Sequence, residues 1–239
     1  MDDPRRLLRY VMPGVLYGME TVVFLWIVLP TWVSSVLWPT LAGNASFGAV
    51  VGAVVVSGSL GVLFATIHHW LHWHSPTDRG ILDHSKKISS LRKLGFLPEV
   101  APGLSSDRAE ALDTLTIEWW KRAGPGTVVG NATSRAVSLS DLAHSAGAAR
   151  VASAGALFSV LTACAIVGVP AFSAQAIVRF AVMLLLSILA IVLFHETYRR
   201  MGEMAQRFYE GILEVALREE LSRQAAQLGR LTSTGADGA

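Results

Sequence analysis

The sequence predicts an all-α, polytopic membrane protein: four transmembrane helices in two hairpins, a small helical cytosolic domain between the hairpins, and a long extension of the fourth helix. Three observations carry this prediction. Residues 21 to 77 contain no Asp, Glu, Lys or Arg. Residues 151 to 195 contain only Arg179. The rest of the chain is densely charged, so apolar and charged residues are segregated along it. A bilayer core takes roughly 20 apolar residues per helical span, because every backbone N–H and C=O must be bonded within the segment. Each charge-free block is long enough for two spans.

Turn-forming residues divide the blocks. Trp38-Pro39-Thr40-Leu41-Ala42-Gly43-Asn44 separates a span near 12 to 37 from one near 47 to 71. Val169-Pro170-Ala171-Phe172-Ser173 separates a span near 149 to 168 from one near 174 to 197. The chain thus falls into 1–74 (N-terminal tail and first hairpin), 75–147 (cytosolic loop domain), 148–197 (second hairpin) and 198–239 (cytosolic amphipathic helix and disordered tail from Thr232). After Arg5, Arg6 and Arg9, the apolar run from Val11 to Trp38 is too long for a cleavable signal, so it is expected to stay as an anchor.

Basic residues set the orientation. Arg5, Arg6 and Arg9 precede the first span, Arg79, Lys86, Lys87, Arg92 and Lys93 follow the second, and Arg199 and Arg200 follow the fourth. Positive residues concentrate on the cytoplasmic side. Both termini and the 75–147 segment are therefore expected in the cytoplasm of a multi-pass inner-membrane protein, and the Arg- and Ala-rich composition points to a prokaryotic source. Arg179, near the outer end of the fourth span, is expected to snorkel to the interface.

The cytosolic segment is broken by Pro98, Pro102, Gly124, Pro125 and Gly126, which leaves short helices. One is expected from 79 to 95. A second follows Asp107 with Glu110 in a capping-box relationship, and a third begins at Ser138 with Asp141 at the matching position, placed to feed directly into the third span. Beyond His195 no strong breaker occurs before Leu228. Met201, Ala205, Phe208, Ile212 and Val215 form an apolar stripe, and Glu203–Arg207, Glu214–Arg218 and Glu219–Arg223 are helix-supporting pairs. The stripe needs a partner, either the loop helices of the same chain or a second subunit.

Composition excludes several classes. A net charge of +2 argues against nucleic acid as a partner. The single Cys164 allows neither an intramolecular disulfide nor a cysteine metal cluster. No P-loop, serine-hydrolase, zinc-protease, kinase or dinucleotide motif occurs, so a non-enzymatic role is favoured.

Four features are candidates for function. His68, His69, His72 and His74 alternate with Trp70 and Trp73 at the end of the second span. His68 and His72 share a helix face, while His84, His144 and His195 stand alone in the sequence. This cluster, with His195 and Glu196 at the end of the fourth span, suits a transition-metal site, a pH sensor or an aromatic interface belt. Glu20 is an intramembrane carboxyl, for which His68, His69 or Tyr17 is the expected partner. Gly14/Gly18, Gly48/Gly52, Ser57/Gly61 and Ala148/Ala152/Ala156 form small-residue packing stripes within or between subunits. Trp119 and Trp120, beside Lys121 and Arg122, fit either a helix lying on the membrane surface or core packing.

The leading expectation is a homo-oligomeric membrane subunit, channel-like or acting as a sensor or scaffold, with a cytosolic module for a protein partner. Two alternatives stand beside it. One is a metal enzyme acting on a membrane-soluble substrate through His68, His72, His195 and either Glu20 or Glu196. The other is a structural subunit of a larger complex, its Trp-rich surfaces set against other proteins or against a pigment that the histidines ligate.

Overall fold

A computed structural model of the chain describes residues 9–39, 47–97, 108–167 and 173–236. The elements are α1 (Met12–Val28), α2 (Pro30–Leu37), α3 (Phe47–His74), α4 (Ser85–Lys93), α5 (Arg108–Arg122), α6 (Val128–Val167) and α7 (Ala174–Ala236). No strand occurs among the described residues, so the fold is all-α. The helices α6 and α7 are long and apolar enough to cross a membrane, and α1 with α2 makes a third candidate if that bent pair is one span. Only 11% of the apolar window of α7 is buried, which leaves its apolar flank exposed.

The helix expected over 12 to 37 is not straight: α1 and α2 meet at 113°. Pro30 cannot donate a backbone hydrogen bond, and its ring crowds the carbonyl one turn back. Leu29 leaves the helical region at φ −123°, ψ 54°, and Val33–Leu37 then winds as a π-helix. The expected turn at 38–44 lies outside the described residues from Thr40 onward, and the one at 169–173 does so through Phe172.

The chain forms two compact units. The first comprises residues 1–78 and 140–202. Its core joins Phe24, Leu25 and Val28 of α1 and Val33 of α2 to Ala156, Val160 and Cys164 of α6 and Met183 of α7. Close approach between α1 and α3 depends on two glycines. A Cβ at Gly14 would lie 1.8 Å from the Ser57 carbonyl oxygen, and one at Gly61 would lie 1.7 Å from that of Tyr10. Ala148, Ala152 and Ala156 have no exposed surface. Most of the small-residue stripe is therefore used inside the subunit. Gly18 and Gly52 are different, since a Cβ on either would meet nothing within 4 Å. The surroundings of Gly48 lie outside the described residues.

The second unit comprises residues 79–139 and 203–239. Ile88 and Leu91 of α4, Ala111 and Leu115 of α5, and Leu213 and Leu217 of α7 form one cluster. Trp119, Val129 and Ala136 form another, against Phe208, Tyr209, Ile212 and Ala216. The stripe on the α7 extension thus finds its partner among the loop helices of the same chain, although Val215 stays 45% exposed.

Two sequence expectations need correction here. No helix begins at Ser138, because α6 starts at Val128 and the Ser138 hydroxyl donates to the Ser134 carbonyl one turn back. Thr127 provides the start instead: following Gly126 at φ +75°, its hydroxyl accepts the Gly130 N–H at 2.9 Å. Glu110 is engaged by Arg92 at 2.8 Å, and Asp107 lies outside the described residues. Helix α7 continues to Ala236 through residues expected to be disordered from Thr232.

Candidate functional site

The last two turns of α3 carry the histidine-rich segment. Four-residue spacing places His68 and His72 on one face, and that face is turned inward, leaving them 1% and 4% exposed. His69, Trp70 and His74 are exposed, and Trp70 stacks on His74 with ring centroids 5.0 Å apart. An interface belt accounts for this outer face but not for the buried pair.

Helix α6 brings a third imidazole to the inner face. His144, isolated in the sequence, places Nδ1 3.2 Å from His68 Nε2. Its ring centroid is 5.5 Å from those of both His68 and His72, and 6.2 Å from that of His69. Helix α7 adds Tyr198, which has no exposed surface. Its hydroxyl bonds His72 Nδ1 at 2.5 Å, and its ring stands edge-on to His68 with centroids 4.9 Å apart. Room for His68 comes from Gly147: a Cβ there would lie 2.0 Å from His68 Cε1. His68 Nδ1 is buried without a hydrogen-bond partner.

Beside this cluster Arg150 binds Asp78 at two points, Nη1 to Oδ1 at 3.1 Å and Nη2 to Oδ2 at 2.7 Å. Its Nη1 also meets His195 Nδ1 at 2.8 Å, and the guanidinium lies 5.4 Å from the Tyr198 ring centroid. Because Arg can only donate, His195 Nδ1 is the acceptor nitrogen. Burial pushes the Asp78 carboxyl upward, but hydrogen bonds and charge from Arg150, with a further bond from Thr77, outweigh it and hold the pKa below the ordinary value.

The chemistry of the cluster follows from its hydrogen bonds. A bond between two imidazole nitrogens needs one N–H and one lone pair. Protonating the acceptor ring turns attraction into repulsion between two donors in a closely packed setting.

The ligand set expected for a metal enzyme is not brought together. His195 faces the Arg150 guanidinium, whose positive charge opposes a bound cation. Glu20 is bonded to Ser153 at 3.0 Å rather than to His68, His69 or Tyr17. Tyr17 pairs with Ser159 at 2.8 Å, and Glu196 accepts from Arg199 and Arg200. Among the described residues no group of three or more His, Cys, Asp or Glu side chains is arranged to hold a metal ion.

The surface-helix expectation at 119–122 is corrected as well. Trp119 is 3% exposed, donates its indole N–H to Thr133 at 3.1 Å and packs edge-on against Tyr209. Lys121 and Arg122 both pair with Glu118, and Arg122 pairs with Glu220. Trp120 alone of the two rings is exposed, at 62%. Arg179 lines a cavity of about 630 Å³ at the α1–α2 bend, with Pro30, Thr31, Trp32 and Gln175.

Sequence reasoning missed His144, Gly147, Arg150 and Tyr198. One signal was available: residues 144, 147 and 150 recur every three positions and so lie along one side of a helix. No family model, curated protein or solved structure matches the chain.

Proposed function

We propose that this chain is a four-span inner-membrane protein with cytoplasmic termini, serving as a proton-responsive sensor or channel-like subunit. The bond between the buried His68 imidazole and the half-buried His144 imidazole, at 3.2 Å, carries the reading. An unperturbed imidazole titrates within the physiological range, and a bond between two imidazoles persists only while one acceptor nitrogen is free. Entry of a proton favours a conformation in which α3 and α6 separate at this level. The spans are α1 with α2, α3, α6 and the first part of α7. Basic residues at 79–93 and 199–200 support a cytoplasmic location for the histidine end of the bundle. The open positions at Gly18 and Gly52 support homo-oligomeric contact, and the 75–147 segment is the proposed module for a cytosolic protein partner.

Hydrogen exchange in lipid nanodiscs tests this reading. After correction for the intrinsic rate, protection of residues 64–74 and 140–150 is expected to fall between about pH 7.5 and about pH 5.5. His144→Gln, which bonds without titrating, is expected to flatten that response. Unchanged wild-type protection across the range would remove the sensor reading. Native mass spectrometry from mild detergent tests assembly, and a monomer throughout would remove the oligomer.

A further inference from the structure

Glu20 sits within α1 and faces α6. Its Oε1 accepts a hydrogen bond from Ser153 Oγ at 3.0 Å. Ser153 has no exposed surface, and neither have Ala152 and Ala156 beside it. The second carboxyl oxygen, Oε2, is buried without a hydrogen-bond partner, and the adjacent Thr21 hydroxyl is equally unpartnered. Among the described residues no ion pair includes Glu20.

The charged and titratable groups on the surrounding helices are engaged elsewhere. On α1, Tyr17 bonds Ser159. On α3, His68 pairs with His144, His69 accepts from Trp73, and His72 pairs with Tyr198. On α6, Arg150 is committed to Asp78 and His195, and Cys164 belongs to the apolar core. On α7, His195 faces Arg150, and Arg179 lines the cavity at the α1–α2 bend. Among the described residues Glu20 therefore has one neutral donor, one bare oxygen and no counter-charge.

A carboxylate in that setting is costly, since one neutral hydrogen bond does not offset the lost hydration of an unpaired charge. With no counter-charge among the described residues, the remaining route is for the carboxyl to take up a proton. Its bare Oε2 is the oxygen free to carry it, with Oε1 held in place by Ser153.

We infer that Glu20 is a reversible proton-binding site within the membrane bundle, positioned by Ser153. The site is separate from the histidine cluster, but the inference rests on the proposal that α1 lies in the membrane.

Carbodiimide labelling of the full chain in nanodiscs tests it, because these reagents add to protonated carboxyls and a lipid-soluble one reaches groups inside the bilayer. The expected result is one dicyclohexylcarbodiimide adduct, located at Glu20 by peptide fragmentation, whose yield rises as pH falls and is unaffected by sodium. Locating the adduct directly makes the result independent of whether Glu20→Gln folds, and that variant, where folded, should lose the adduct. Absence of an adduct at every pH would overturn the inference. Protection by sodium at constant pH would overturn the proton as ligand in favour of a metal cation. Equal labelling by a water-soluble carbodiimide would instead overturn the membrane placement of α1, a failure distinct from the other two.

Discussion

Arg150 and Asp78 form a two-point ion pair between α6 and the turn that follows α3, with the Asp78 side chain wholly buried and that of Arg150 13% exposed. Removing one member of a buried pair strands the other's charge and costs about 3–5 kcal/mol. Asp78→Ala is therefore expected to lower stability by about that amount, whereas the exposed pair Arg207–Glu203 at 3.9 Å should contribute under about 1 kcal/mol. Thermal melts of the two variants in one detergent make the comparison. Near-equal losses would contradict the ranking.

The same carboxyl gives the pair a pH signature. Its pKa is lower folded than unfolded, so its contribution is complete above the unfolded value of about 4. That contribution is lost as pH falls through the folded value. Stability from this pair should hold across the neutral range and drop only below about pH 4. A wild-type melting curve that loses no more stability in that window than Asp78→Asn does would count against it.

Gly147 is a second test point, on packing. A Cβ there would lie 2.4 Å from His68 Nδ1, and the ring is enclosed, so something must shift. Gly147→Ala is expected to cost about 1–3 kcal/mol through overpacking and to break the His68–His144 bond. If the melting temperature is unchanged, the ring has more room than the distances imply.

Much of this architecture was legible because its signals are local. The charge-free blocks mark α6 and α7 as apolar, and the four-residue Glu–Arg pairs on the α7 extension form as spaced, Glu214–Arg218 at 2.6 Å and Glu219–Arg223 at 3.3 Å. The histidine site was legible only in half. Its remaining partners stand far off in sequence, His144 by 76 residues from His68 and Tyr198 by 126 from His72. Spacing within one helix carries no information about such contacts. Pro30 was readable as a breaker, but its apolar surroundings masked it. Trp119 and Trp120 could not both lie on one surface, since successive residues point about 100° apart on a helix.

That angular separation makes the final prediction. Trp119 is buried against Tyr209 and bonded to Thr133, while its neighbour Trp120 is 62% exposed. Trp119→Ala should cost about 3–5 kcal/mol, the range for emptying an aromatic core position, and Trp120→Ala should stay within about 0.5 kcal/mol, as surface changes do. Chemical denaturation followed by circular dichroism measures both. Equal losses would mean that Trp120 is covered in the assembled protein. Equal indifference would mean that Trp119 is not a core residue and would return the 119–122 segment to the surface-helix reading. The ion pairs argue against that second outcome, because Arg122, held by Glu118 at 2.6 Å and Glu220 at 2.7 Å, is not free for lipid phosphate.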